Sequence, residues 1–142
     1  MTDWRGRGRY LVLTVLVAAL TSIPLGLSGA IAGAGNTVRV TDADNGRTLT
    51  LASGDALVVS LASTLGTGFG WKVGHVDAKV LRQTGPSELV HPPNPMPGAP
   101  ATQVFRFVAT GGGSTRLELD YVRPWERGVP PARTFHLGLT VR

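Results

Sequence analysis

The sequence has no cysteine among its 142 residues. That absence excludes disulfide bonds, thiolate metal sites, a cysteine nucleophile and a lipid anchor on a lipobox cysteine. The histidines His75, His91 and His136 stand far apart, without the His-x-His or His-x-x-x-His spacing that brings two imidazoles to one metal ion. We therefore expect the chain to carry no metal and no other cofactor.

Arrangements of catalytic residues are missing as well. Gly66, Gly68 and Gly70 alternate as in a phosphate-binding loop, but a strand pattern follows them where such a loop needs a helix N-terminus. No Gly-x-Ser-x-Gly elbow occurs, and Glu118 and Asp120 alternate with apolar residues, as on the solvated face of a strand. The sequence therefore indicates that the protein is not an enzyme.

Runs of basic residues are also absent. The formal net charge is +5, yet Arg5, Arg7 and Arg9 already lie within the first nine residues. The remaining lysines and arginines are dispersed and form no run of the kind that follows a phosphate backbone. We therefore expect no nucleic acid among the partners.

The first 34 residues have the layout of a secretory signal peptide. Three arginines precede an uncharged, mostly aliphatic stretch, and residues 32–34 are small enough for a signal peptidase. The alternative is an uncleaved anchor that crosses a membrane through residues 10–32, although Pro24 favours cleavage. In both cases we expect residues 35–142 to be secreted, periplasmic or otherwise extracytoplasmic, and in the second case they stay tethered.

Aromatic residues make up only 6% of the chain, whereas 19 glycines and 10 prolines supply many turns. No sustained helical period follows residue 35, and Asn45-Gly46 predicts a hairpin turn between the first two strands. Strands are expected at residues 37–41, 47–51, 57–62, 71–76, 79–83, 102–108, 116–121 and 133–141. Seven to eight strands at this spacing predict one all-β domain over residues 35–142, an immunoglobulin-like β-sandwich behind the N-terminal signal or anchor segment.

Three predicted loops contain residues suited to binding. Small residues fill the segment 63–70, prolines are frequent in 86–101, and Arg123-Pro124-Trp125 follows the end of a strand. Loops gather at the two ends of a sandwich, so these three can share one end. Trp125 is interpreted either as an exposed binding tip or as a cap folded back on the core, and the other loops favour the tip. Trp71 is predicted to be a core tryptophan.

Motifs in these segments match a known family. Thr67, Gly68, Phe69 and Trp71 match the pattern Asn-Pro-Thr-Thr-Gly-Tyr/Phe-x-Trp, from which residues 64–66 depart.

Two further motifs follow in the same order. Residues 102–107 match Thr-Gln-x-Phe-x-Phe, although residues 98–101 before them keep only the first glycine of Gly-x-Gly-Gly. Residues 121–126 match Tyr-x-Arg-Pro-Trp-Glu without a gap. On these three motifs, residues 36–142 resemble the chagasin family of cysteine-peptidase inhibitors, which are small immunoglobulin-like domains.

The resemblance implies a reversible, non-covalent inhibitor of papain-like cysteine peptidases. In the family, three loops enter the active-site cleft as a wedge, the first over the catalytic cysteine and histidine and the outer two along the sides. Phe69 then fixes the first loop by packing or touches the enzyme. By resemblance, the peptidase-binding residues are Thr64, Leu65, Gly66, Thr67, Gly68, Phe69, Gly98, Ala99, Pro100, Ala101, Arg123, Pro124 and Trp125. We expect the protein to be a monomer.

The departures from the family pattern fall in the first two loops. Leu65 replaces the family's proline and Gly66 adds freedom, so the first loop loses more conformational entropy on binding. Residues 99–101 alter the second loop. We therefore predict inhibition that is weaker than in typical relatives or directed at another target. The alternative is a non-inhibitory immunoglobulin-like binding module of the cell envelope that uses the same loops for another protein.

Overall fold

A computed structural model describes residues 35–64, 66–94 and 96–142. The predicted signal or anchor segment, residues 1–34, lies outside these residues, as does the predicted contact residue Leu65. Within the described ranges, no helix has both the length and the apolar character needed to cross a membrane.

Two sheets form the fold, and within the described residues they contain nine strands. The strands are β1 (Thr37–Thr41), β2 (Thr48–Leu51), β3 (Ala56–Thr64), β4 (Gly70–His75), β5 (Leu81–Gln83), β6 (Glu88–Val90), β7 (Pro100–Ala109), β8 (Gly113–Val122) and β9 (Arg133–Val141). One sheet has the order β1-β3-β7-β5, with β6 also paired to β7, and the other has the order β2-β9-β8-β4. The predicted all-β immunoglobulin-like sandwich is confirmed, with one strand more than the upper number expected.

Apolar side chains at alternate strand positions fill the space between the sheets. In β8, Leu117, Leu119 and Tyr121 point inward, and Phe135 and Leu137 continue the pattern in β9. Because successive strand residues point to opposite faces, a period of two supplies one buried and one solvated face. The predicted alternation of these two strands is therefore confirmed.

The predicted hairpin at Asn45-Gly46 is wrong. β1 pairs in parallel with β3 and β2 pairs in parallel with β9, so the chain changes sheets between β1 and β2. A 3-10 helix at Asp42–Asp44 begins this crossover. The side chain of Asn45 then binds β9, because its Nδ2 donates to the Thr134 carbonyl oxygen and its Oδ1 accepts the His136 amide N–H. Gly46 still turns the chain with a positive φ, but these contacts decide the direction.

The segment 86–101 is more regular than predicted. β6 lies within it and pairs antiparallel with β7, and β7 begins at Pro100 instead of at Thr102. A proline is tolerated there because the first residue of a strand can lack an N–H donor. The weaker strand predicted at 79–83 is observed as the shorter β5.

We expect Leu119→Ala to lower the free energy of unfolding by about 2–5 kcal/mol, because a fully buried leucine leaves a cavity when it is truncated. Thr50→Ala, at an exposed position of β2, is the control and should change that free energy by less than about 0.5 kcal/mol. Urea titration followed by circular dichroism measures both variants. Equal losses would contradict the assignment of the core.

Candidate functional site

Three connections lie at the same end of the sandwich, because the strands that they join are paired there. Thr64 at the end of β3 pairs with Pro100 at the start of β7. Gly70 at the start of β4 pairs with Val122 at the end of β8. The shared end that the sequence allowed is thus observed. We call it the loop end, and it consists of the first loop (residues 64–69), the second loop (residues 96–99) and the third loop (residues 123–132).

The first loop is held in shape by a threonine and two glycines. The Thr67 hydroxyl donates a hydrogen bond to the Thr64 carbonyl oxygen at 3.0 Å and accepts one from the Phe69 amide at 3.3 Å. Gly66 and Gly68 have φ values of 85° and 77°, a left-handed conformation that glycine adopts without steric cost. The loop is therefore a narrow, exposed turn with glycine backbone at its surface.

The first and third loops touch where Trp125 lies against Gly68. A Cβ atom added at Gly68 would overlap the indole ring, so only glycine leaves room for this contact. Trp125 nonetheless keeps 68% of its surface exposed. Of the two interpretations from the sequence, the exposed tip is correct and the core cap is wrong.

Arg123 makes a second connection between the same two loops. Its Nε donates a hydrogen bond to the Thr67 carbonyl oxygen at 3.1 Å, and its guanidinium lies over the Phe69 ring at 4.3 Å. Its Nη1 also donates to the Glu126 carboxylate at 3.0 Å. The planar guanidinium thus binds the first loop through one edge and one face, and the third loop through another edge.

Phe69 connects the first loop to the core through a stack of aromatic rings. The ring centroids of Phe69 and Tyr121 lie 5.2 Å apart, and those of Tyr121 and Trp71 lie 5.0 Å apart. Trp71 is only 5% exposed, which confirms the predicted core tryptophan. Phe69 is itself partly buried against the core, so it fixes the loop by packing, the first of the two roles that the resemblance allowed.

Tyr121 supports the first loop, a role that no pattern in the sequence indicated. Its hydroxyl oxygen accepts a hydrogen bond from the Thr64 N–H at 3.1 Å. Burial raises the pKa of this phenol, but the hydrogen bond from the Thr64 amide and the neighbouring hydroxyl groups of Ser63, Thr67 and Thr64 outweigh burial and bring the pKa below its ordinary value. The bond from the Thr64 N–H fixes the end of β3, from which the first loop departs.

Gln103 is a second residue that the sequence analysis missed. Its Oε1 accepts the Trp71 amide N–H at 2.8 Å, and its Nε2 donates to the Trp71 carbonyl oxygen and to Ser87 Oγ, each at 2.9 Å. The side chain therefore bridges edge strand β4 and strand β7 of the opposite sheet. The alternation of β7 could have indicated this role. Gln103 stands midway between the buried residues Ala101 and Phe105, at an inward position where an apolar residue is expected.

The second loop is a tight turn, and its predicted extent needs correction. The Ala99 N–H donates to the Met96 carbonyl oxygen at 2.9 Å, and Gly98 has a φ of 77°, which favours glycine in such turns. Pro100 and Ala101, predicted as loop residues, belong to β7. Ala101 faces the core there and is 2% exposed, so its side chain forms no part of the loop surface. Met96, which was not among the predicted contact residues, is 75% exposed.

We expect Gly68→Ala and Gly66→Ala to differ, although both glycines have a positive φ. Each substitution strains the backbone and should lower the free energy of unfolding by about 1 kcal/mol. Only Gly68→Ala should also displace the Trp125 ring, because the space beside Gly66 is open. Tryptophan fluorescence, with a Trp125→Phe chain as background, reports the displacement. The same change of emission in both variants would contradict the Gly68–Trp125 contact.

Comparisons with known proteins agree on one family. The family model described as "Chagasin family peptidase inhibitor I42" matches residues 50–139. The chain is 27% identical over 104 residues to Amoebiasin-2 of Entamoeba histolytica, an alignment that covers 72% of this chain and 84% of that protein. It is 31% identical over 90 residues to Chagasin of Trypanosoma cruzi, which covers 61% of this chain and 82% of that protein.

A solved structure has the same fold. The crystal structure of EhICP2, a cysteine protease inhibitor from Entamoeba histolytica, matches with a TM-score of 0.68 at 23% identity, over 75% of this chain and 96% of that chain. The family model itself spans well over half of the chain and includes the first and second loops together with the Arg123-Pro124-Trp125 segment of the third. This protein belongs to the chagasin family of peptidase inhibitors.

Proposed function

We propose that this protein is a reversible inhibitor of papain-like cysteine peptidases and that its loop end enters their active-site cleft as a wedge. Membership of a peptidase-inhibitor family supports the activity. The observation that carries the proposal is the joined pair of loops, in which Trp125 lies on Gly68 and Arg123 holds Thr67. Loops that are fixed before binding lose little conformational entropy when they enter a cleft.

The first loop forms the part of the wedge that reaches deepest. Gly66 has no side chain and the space beside it is open, so the loop backbone can approach the wall of a narrow cleft there. The hydrogen bond from Thr67 to Thr64 keeps the turn narrow. We place this loop over the catalytic cysteine and histidine of the peptidase, as the family resemblance implies, where it blocks access of substrate.

The third loop supplies the main anchor. Trp125 offers a large exposed ring that lies against Gly68, and aromatic anchors of this kind carry much of the energy of protein interfaces. Pro124, with its fixed φ, limits the directions that the loop can take before the anchor. Arg123 already donates hydrogen bonds to Thr67 and Glu126 within the protein, so its principal role is to position the loop.

The second loop forms a separate arm of the wedge. Met96 is exposed in it, next to Gly98 and Ala99, and Leu89 and Val90 are exposed in β6, which pairs with the first part of β7. We propose that these apolar side chains contact the opposite side of the cleft.

The weaker or redirected inhibition expected from the altered loops stays a prediction. The freedom that Gly66 gives to the first loop is opposed by the hydrogen bonds of Thr67 and by the contact of Arg123. These contacts support retained inhibition, and the affinity depends on how far they compensate for the missing proline.

We further propose that residues 1–34 export the chain, as a signal peptide that is removed or as an anchor through residues 10–32. The inhibitor domain, residues 35–142, would then act as a monomer outside the cytoplasm.

Replacing Trp125 by alanine tests the wedge. We expect Trp125→Ala to raise the inhibition constant about 30-fold or more, because a central aromatic anchor contributes about 2 kcal/mol or more to binding. Progress curves with papain and with a cathepsin-L-like peptidase measure the constant. Arg82→Ala, in β5 beside the end of β7 that lies farthest from the loop end, is the control and should leave the inhibition constant unchanged.

Two outcomes would count against this function. A folded wild-type chain that inhibits neither peptidase would show that the proposed activity is wrong. Equal inhibition by wild type and Trp125→Ala would show that another surface binds the enzyme.

Replacing Arg123 tests its positioning role. We expect Arg123→Lys to speed dissociation of the complex about tenfold although the charge is kept, because lysine lacks the planar fork that contacts Thr67, Phe69 and Glu126 together. Stopped-flow rates measure dissociation, and hydrogen exchange of the Phe69 amide in the free protein should also become faster. Wild-type behaviour in both measurements would show that Arg123 acts only as a charge.

A further inference from the structure

A groove of about 600 Å³ lies beside the third loop, on the side of β4. Apolar groups of Phe69, Val122, Val129 and Pro130 line much of it. Its charged side chains are Lys72, Arg123, Glu126 and Arg127. We call it the basic groove. Pro124 and Glu126, the chain neighbours of Trp125, line it, so the groove adjoins the proposed binding tip.

The charges of the basic groove do not cancel. The Arg123 guanidinium pairs with the Glu126 carboxylate at 3.0 Å. Lys72 and Arg127 are both exposed, and within the described residues no carboxylate oxygen lies within 4.0 Å of either cationic group. Two cations are therefore left to face a partner.

Asp120 is the acidic residue next to Lys72. It lies directly opposite Lys72 across the β4–β8 pair, so the two side chains share a face of the sheet. Its Oδ2 lies beside Gly74 of β4, and its Oδ1 accepts a long hydrogen bond of 3.5 Å from the Thr134 hydroxyl of β9, so the carboxylate sits between the two flanking strands. Asp120 reduces the potential at Lys72 without pairing with it, and the groove keeps a net positive charge.

We propose that the basic groove binds an acidic segment on the rim of the target peptidase's cleft, with carboxylates seated at Lys72 and Arg127. The inference rests on the proposed function, since the groove adjoins the loops that would enter the cleft. An apolar wall between two separate cations fits a peptide segment, whose backbone and carbon atoms cover the wall while its carboxylates meet the charges. The Arg127 guanidinium can take a carboxylate through two parallel hydrogen bonds.

Such a contact governs the choice of target through the rate of association. Charges at the rim of an interface steer the approach of the partner, and salt screens them over about 8–10 Å. A peptidase with an acidic cleft rim should therefore be captured faster than one with a neutral or basic rim. The anchor at Trp125 would still determine how slowly the complex dissociates.

The test compares two double substitutions in the full chain, kept soluble in a non-ionic detergent. Lys72→Glu with Arg127→Glu reverses the charge of the groove. Arg39→Glu with Arg82→Glu makes the same change in net charge on exposed strand positions away from the loop end. Stopped-flow association is measured with whichever of papain and a cathepsin-L-like peptidase the wild type inhibits faster, at about 20 mM and about 200 mM salt.

We expect the groove variant to associate about tenfold more slowly than wild type at low salt, with the difference shrinking at high salt, and the control variant to change about twofold or less. Unfolding midpoints in urea check that both variants are folded. If the variant with Lys72→Glu and Arg127→Glu fails to fold, Lys72→Gln with Arg127→Gln should also slow association, by a smaller factor.

The outcomes separate this inference from the proposed function. Inhibition by wild type with no loss of rate in the groove variant, or an equal loss in the control, would overturn the acidic-rim contact alone. A wild-type chain that inhibits neither peptidase would overturn the proposed function, and the inference would fall with it.

Discussion

Trp71 connects the two sheets at the loop end, and the geometry of the loops depends on this junction. Its amide N–H and carbonyl oxygen both bond to the side chain of Gln103 in the opposite sheet, and its indole Nε1 donates to the Ala62 carbonyl oxygen at 3.0 Å. A buried tryptophan whose donor is paired contributes its full apolar surface without an unsatisfied polar atom. A displacement of Trp71 would move β3, β4 and β7 together, and with them the first loop and the start of β7 beside the second.

In the first and third loops, each aromatic or cationic side chain packs on another that lies nearer to Trp71. Tyr121 packs on Trp71, Phe69 packs on Tyr121, and the guanidinium of Arg123 lies over Phe69. Trp125 ends the series, exposed to solvent but seated on the first loop. The layered support gives an exposed surface with few alternative shapes, which is what a non-covalent wedge requires, because disorder in the free loops is lost again on binding. The second loop is fixed separately, by its own turn and by the start of β7.

Affinity and choice of target are assigned to different parts of this end. The joined first and third loops would supply the tight contact. The basic groove with Lys72 and Arg127 would favour peptidases whose cleft rim is acidic. Substitutions of Lys72 and Arg127 would then change the target without disturbing the stack beneath Phe69, since neither residue is part of that stack. The departure from the family pattern at Gly66 concerns the affinity of the first loop and does not concern the choice of target by the groove.

The order of residues by itself determined the sandwich and the identity of the three loops. Alternation in β8 and β9 is a local property, since each residue's face follows from its neighbours, and the motif at residues 121–126 is a contiguous string. Tertiary structure alone decided the rest, including the sheet change at Asn45 and the partner of Arg123, whose hydrogen bond to Thr67 spans 56 positions of the chain. Asn45 and Gly46 are compatible with a hairpin or with a crossover between sheets. Arg123 can donate to an acceptor within the protein or to one on a partner. Which occurs depends on atoms that only the folded chain brings together.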